Sequence, residues 1–300
     1  MKGVEVKLDL RQLRYFESLI RNKQFTKAAK ELHISQPSLS NVIKSLEQTI
    51  GCPLIYRSKR NIIPTDAGLI LYNHACKLLK EYVNICKEMN EVKEVGASYI
   101  YIGFIESTKY WIPKIVKEFN KKYEHISLRF KEMSARDIES AISNYDIHFG
   151  ITTRAPNIEG VKSNEIYQEE LILITSINHP FSMYDVVDFS QLKGENIIQV
   201  QSGFHIKDSI MSAFEIAGIK QKGLYEVERL EFSSILVKEG LAIAIVPENY
   251  LKYYSQNDIH QIHLTNPTPI RSVYITYNEN RYLTPATKYF ISKVEDFFKI

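Results

Sequence analysis

Residues 25–50 read FTKAAKELHISQPSLSNVIKSLEQTI, two short helical patterns separated by one tight turn. Thr26 reads as the cap of the first helix, and Ala28 and Ala29 leave room for a neighbouring helix to approach. His33 and Ile34 form the turn. Ser35 caps the second helix, Pro37 fits its first turn, and Leu39, Val42, Ile43, Leu46 and Ile50 recur as a buried stripe that Gly51 ends. Upstream, Leu10, Leu13, Tyr15, Phe16, Leu19 and Ile20 mark a further amphipathic helix that closes near Asn22. Gln36, Ser38, Asn41 and Lys44 are left facing outward, which makes this a helix-turn-helix. Amide and hydroxyl groups on that outer face suit base reading, because they discriminate groove edges while charge belongs at the phosphates.

After Pro53 the order strand, basic turn, strand (Leu54 to Arg57, Ser58 to Asn61, Ile62 to Pro64) reads as a wing. Arg57, Lys59 and Arg60 at its tip are placed for phosphate or minor-groove contact. The charge distribution agrees with this reading. The whole chain carries 38 Lys/Arg and 35 Asp/Glu, but residues 1–68 hold twelve of the former and six of the latter, leaving 26 against 29 in the remainder. A small basic head on an acidic body is the electrostatic footprint of a polyanion binder.

The stretch Leu10-Arg-Gln-Leu-Arg-Tyr-Phe16, with Phe25-Thr-Lys-Ala-Ala29, Leu32-His-Ile-Ser-Gln-Pro-Ser-Leu-Ser40, Leu46-Glu47, Gly51, Pro53-Leu54, Arg57 and Thr65-Asp-Ala-Gly68, resembles the N-terminal domain of LysR-type transcriptional regulators. The resemblance implies a winged helix-turn-helix over residues 8–66, whose DNA contacts come from Thr26, Ser35, Gln36, Pro37, Ser38, Ser40, Asn41, Lys44, Arg57, Lys59 and Arg60. Asn41 stands where the family commonly has Arg or Gln. Met1 to Lys7 is an added tail by the same comparison.

From Leu69 to Val95 there is neither Gly nor Pro. Leu71, Ala75, Leu78, Tyr82, Ile85, Met89 and Val92 alternate spacings of four and three, a heptad seam suited to pairing two helices. Leu71 to Met89 are the candidate dimerisation residues, within a linker helix over residues 67–95. By resemblance this helix joins two subunits, and further pairing of the sensor domains implies a homodimer or homotetramer. Cys76 and Cys86 on it, with Cys52, are an odd set of three without metal or thioredoxin spacing, so reduced thiols are expected.

The remaining residues alternate strands with helices: strands at residues 99–105, 127–131, 146–152, 170–175, 196–201, 224–227, 242–246 and 273–277, with helices near 108–122, 135–144, 205–217, 232–238 and 285–298. This is an α/β pattern of two lobes. Ile102-Gly-Phe, Trp111-Ile-Pro113, His179-Pro180 and Leu236-Val-Lys-Glu-Gly240 leading to Ile245-Val-Pro247 are similar to the family's effector-binding domain, a periplasmic-binding-protein-like fold. That resemblance implies an effector domain over residues 96–300, with lobe I formed by 96–167 and 268–300, lobe II by 168–267, and crossings near Tyr167-Gln168 and Asn266-Pro267-Thr268. Glu132-Met133 is similar to a subgroup that senses aromatic carboxylates and muconate, whereas Ala135 replaces a hydroxyl those relatives can have.

In open α/β sheets, ligands bind beyond the carboxyl ends of strands, where helix N-termini offer N–H groups. Ser107, Thr108, Ser134, Thr152, Thr153, Gln201, Ser202 and Phe204 occupy such ends, and their hydroxyls predict a small polar or anionic effector. No nucleophile elbow, phosphate-binding Gly-rich loop or metal-binding His/Cys pattern is present, so neither catalysis nor a cofactor is expected. No apolar run reaches the roughly 18 residues of a membrane span, and the N-terminus lacks an apolar signal core, so the cytoplasm is the expected compartment. The reading is a regulator of operator DNA that responds to a small molecule, with RNA polymerase a further partner implied by the resemblance. A solute-binding protein would lack the basic head, and an architectural DNA binder would have no use for a two-lobed sensor.

Overall fold

The computed structural model describes residues 8–57, 62–93, 99–200, 205–253 and 258–299. The chain forms two compact units that meet in sequence between Asn90 and Glu91.

The first unit opens with α1 (Leu10–Asn22), α2 (Phe25–Glu31) and α3 (Gln36–Ile50), followed by strands β1 (Ile55–Arg57) and β2 (Ile62–Pro64) and the helix α4 (Asp66–Lys93). Asp9 caps α1, accepting the Arg11 N–H at 2.9 Å, and Gln12 closes a capping box with it. That cap escaped the sequence reading. Thr26 corrects it in the other direction: the N-cap of α2 is Gln24, without a side-chain bond, and Thr26 lies exposed inside the first turn. Phe25 packs against the head's core, and this anchoring starts the helix one residue before the expected cap. Ser35 caps α3, its Oγ accepting the Ser38 N–H at 3.2 Å, and Gly51 ends the helix at φ 86°. Phe16, Leu19, Leu39, Ile43, Leu46 and Leu54 are wholly buried between the three helices and the wing, each contributing about 1.5–3 kcal/mol of apolar burial. Gly68 is dictated by close approach: a Cβ there would sit 2.0 Å from the Leu54 carbonyl oxygen. Thr65 fixes the same corner, donating to the Pro53 carbonyl at 2.8 Å and accepting the Gly68 N–H at 3.0 Å.

The second unit is built on β3 (Tyr99–Phe104), α5 (Ile112–Asn120), β4 (Ser127–Glu132), α6 (Ala135–Ser143), β5 (Phe149–Thr152), β6 (Val161–Ser176), β7 (Val186–Asp188), β8 (Gln199–Val200), α7 (His205–Ile216), β9 (Glu226–Val227), α8 (Leu230–Lys238), β10 (Ala244–Pro247), β11 (Ile259–Thr265), β12 (Ile270–Asn278) and α9 (Pro285–Phe297). Lobe I is a sheet ordered β4-β3-β5-β12-β6. Its outer strands β4, β3 and β5 run parallel, and β12 runs antiparallel to both β5 and β6. In lobe II, β6 pairs with β10 and β11, and β11 with β7.

One strand therefore serves both lobes. Up to Glu170, β6 pairs with β12, and from Leu171 it pairs with β10 and then β11. Periodicity recovers only the apolar second half of this strand. The first half, Val161 to Gln168, carries Lys162, Ser163, Asn164 and Glu165, and it is strand because β12 supplies the ladder. The helix expected from residue 108 starts at Ile112, because residues 106–108 form a 3-10 turn and Pro113 sits in the first helical turn. Trp111, Phe119, Phe149 and Phe290 fill the core of lobe I, and Leu173, Ile174, Phe189 and Val246 that of lobe II.

Candidate nucleic-acid interface and effector site

On α3, Gln36, Pro37, Ser38, Asn41 and Lys44 are exposed or half-buried at the surface, and Ser40 is half-buried. The buried stripe Leu39, Ile43 and Leu46 holds the helix against the head, so the polar row is presented from a rigid support. Thr26 is exposed on α2, and Ser35 is exposed but spends its hydroxyl on the cap. Behind this face, α1 is clamped to the end of α2. Glu31 accepts from Arg21 Nη2 at 2.5 Å, from Asn22 at 2.8 Å and from Ser18 at 3.1 Å, and Arg21 also bonds Glu17 at 2.8 Å. The Arg21 hydrogen bond is the main cause that lowers the Glu31 carboxyl to about 2. Lys59 and Arg60 lie outside the described residues, as does the side chain of Arg57.

Along α4 the seam divides. Ala75 is wholly buried and Leu71 packs on the head's core, so these two are occupied within the chain. Leu78, Tyr82, Ile85 and Met89 are each about half exposed, an apolar row on a solvated helix.

In the second unit the strand-end hydroxyls are brought to one region, but most are already engaged. Ser107 is buried and donates to Glu169 Oε1 at 2.8 Å while accepting from Arg271 Nη2 at 2.9 Å. The buried Arg271 also bonds Glu169 at 2.8 Å and Glu106 at 2.9 Å, and Asn249 of lobe II donates to the other Glu169 oxygen at 3.0 Å. Ser107 thus belongs to a closed polar cluster where the strands cross between lobes. Thr108 donates to the Ile105 carbonyl at 2.8 Å, and Ser134 caps α6. Thr152 is wholly buried and Thr153 half-buried beside it. Gln201, Ser202 and Phe204 lie outside the described residues.

Lys109, which the sequence reading passed over, bridges the lobes. Its Nζ lies 2.5 Å from Glu231 at the start of α8 and 3.1 Å from Glu132 at the end of β4. Burial works against its charge, but the bonds to Glu231 and Glu132 prevail and raise its pKa. The two carboxylates outnumber the one ammonium here, so an anion arriving at Lys109 has to displace a carboxylate. Among the described residues no group of three or more His, Cys, Asp or Glu is arranged to hold a metal ion, and no helix is long and apolar enough to cross a membrane.

Residues 10–69 match the family described as bacterial regulatory helix-turn-helix protein, lysR family, and residues 96–299 match the LysR substrate binding domain. The chain belongs to the LysR family. It is a LysR-type transcriptional regulator, with a DNA-binding head and an effector-binding domain. The chain is 26% identical over 284 residues to the uncharacterized HTH-type transcriptional regulator YybE of Bacillus subtilis strain 168, covering 94% of this chain and 97% of that protein. It superimposes on a full-length OxyR variant from Pseudomonas aeruginosa with a TM-score of 0.60 at 21% identity, covering 98% of this chain and 95% of that one. The effector binding domain of QuiR in complex with shikimate matches 68% of this LysR-type chain and 98% of its own, with a TM-score of 0.61 at 23% identity.

Proposed function

We propose that this LysR-type regulator acts in the cytoplasm as a homodimer or homotetramer on an inverted-repeat operator, without catalysis of its own. A small polar effector held between the lobes would alter how its subunits are arranged on DNA. The observation that carries the reading is the surface polar row Gln36, Ser38, Asn41 and Lys44 on a helix pinned by Leu39, Ile43 and Leu46. Such a row reads base edges only if its helix is rigidly held, and here it is.

The half-exposed Leu78, Tyr82, Ile85 and Met89 support pairing through α4, which would present two heads to two half-sites. The shikimate complex of QuiR supports a small molecule as the effector. Lys109 shared between Glu132 and Glu231 favours an uncharged or zwitterionic ligand over a bare anion, because only the former leaves the bridge intact. Selection of bound fragments from random duplex DNA tests the reading. An enriched palindrome protected over two half-sites is the expected result, and enrichment without any shared sequence would refute it.

A further inference from the structure

Lobe I carries a cavity of about 610 Å³ beside α6 over the outer strands β3 and β4. That volume falls within the roughly 300–1,000 Å³ of small-molecule sites. Its wall includes apolar Met133, Ala141 and Ile147 and the two cations of one strand face, Arg129 and Lys131. The Arg129 guanidinium is held in place, 4.2 Å from the Tyr99 ring centroid and donating to the Tyr101 hydroxyl at 3.2 Å. It has no carboxylate partner among the described residues. Of the lining acids, Glu132 pairs with Lys109 and Asp137 accepts from Ser134, which it caps reciprocally at the start of α6.

We propose that this groove is a second ligand site, which takes a small organic monocarboxylate with an apolar body. The carboxylate meets the Arg129 fork, which matches it in a bidentate geometry, and the apolar body lies along Met133, Ala141 and Ile147. The site goes beyond the interlobe effector reading and does not depend on it. It is also connected to the end of α4. The Tyr101 ring stacks on His148 with centroids 6.0 Å apart, and the Tyr101 backbone N–H donates to His148 Nδ1 at 3.0 Å. His148 Nε2 lies 3.2 Å from Arg281 Nη2 and 3.6 Å from a Glu91 carboxylate oxygen, and Arg281 binds that same carboxylate at 2.5 Å. An occupant of the groove thus touches a residue packed on the group that grips the last turn of α4.

The experiment is calorimetric titration of the full-length protein with 4-methylpentanoate and with the isosteric neutral 4-methylpentanamide. The acid is expected to bind at least about tenfold more tightly than the amide, in line with the strength of a charge-assisted hydrogen bond. Arg129→Met, an exposed change that keeps the apolar stem, should erase that difference, and Ser140→Phe should block both probes. Thr153→Phe at the lobe boundary should leave the binding unchanged. Equal binding of acid and amide, binding undiminished in Arg129→Met, loss of binding in Thr153→Phe, or no binding of either probe would each overturn the site. None of these results bears on operator recognition, which the selection from random duplex DNA tests separately.

Discussion

Arg271 on β12 and Glu169 on β6 face each other directly in the ladder, with the guanidinium Nε 2.8 Å from the carboxylate, where the shared strand leaves one lobe for the other. Glu106 and Ser107 from lobe I and Asn249 from lobe II converge on the same pair. The lobes are thus fastened at their crossing by a buried charge cluster that has more acid than base. Breaking a buried pair on one side is costly, because the partner's charge remains without compensation. Arg271→Met should destabilise the second unit by about 3–5 kcal/mol in urea unfolding. Asn249→Ala removes one neutral donor and should cost only about 1–3 kcal/mol. Equal and small losses in both would mean that the cluster is not the fastening.

The recognition helix separates reading from folding within four residues. Ser38→Ala and Gln36→Ala leave the cap and core intact, so each should lose about 1–3 kcal/mol of base discrimination with unchanged unfolding and unchanged nonspecific binding. Ser35→Ala removes the cap and should cost about 1 kcal/mol of head stability instead. Lys44→Ala removes one phosphate contact and should reduce the slope of log affinity against log salt by about 0.9. Binding assays on matched and mismatched duplexes over a salt series, beside urea unfolding of each variant, distinguish all three effects.

The clamp between α1 and α2 titrates in acid. The folded Glu31 carboxyl lies at about 2, below its ordinary value of 4.5, so its contribution is full above 4.5 and declines as pH falls from there towards 2. The protection of the α1 and α2 amides against hydrogen exchange, taken relative to the intrinsic rate at each pH, should fall over that window in the natural protein. Glu31→Gln should show the lower protection already at neutral pH and lose this fall with pH. An identical pH profile in the variant would remove Glu31 from the account.

On α4, position decides the consequence of a charge. Ile85→Asp and Leu78→Asp fall on the exposed half of the seam, where they should abolish dimerisation in sedimentation without unfolding the monomer. Ala75→Asp buries an unpaired carboxylate within the head and should unfold it. A dimer persisting in both exposed variants would move the interface elsewhere.

How much of this was legible depends on the range of the interaction. The three-helix head and its polar face could be read because caps, the Gly51 stop and the Leu39, Ile43, Leu46 stripe act within one or two turns. Thr26 misled because Phe25 packing, a tertiary effect, sets the start of α2. Heptad spacing marked the apolar row on α4 but could not show that Leu71 and Ala75 are spent on the head. Ser107 reads locally as a strand-end hydroxyl, but its partners, Glu169 and Arg271, stand 62 and 164 residues away. No local pattern encodes such a cluster. Lys109 is a similar case, since Glu231 lies 122 residues further on.

That bridge yields the last prediction. Lys109 holds Glu132 of its own lobe and Glu231 of the other; burial pushes the Glu231 carboxyl up, but the Lys109 bond, a backbone N–H and the nearby Lys109 and Arg229 charges together keep it below its ordinary 4.5. A depressed folded pKa means the bridge is complete above 4.5 and weakens as pH falls below it. Lys109→Met leaves two carboxylates facing each other across the lobe boundary, so it should favour separated lobes. Glu231→Gln retains a hydrogen-bonding amide and leaves the Lys109–Glu132 pair intact, so it should separate them less. Small-angle scattering of the two variants checks the order, with the larger radius of gyration in Lys109→Met. Because the head is untouched, both should keep operator affinity while their footprints change relative to the natural protein, Lys109→Met the more. A footprint unaltered in Lys109→Met would show that the bridge joins the lobes without setting how the subunits are arranged on DNA.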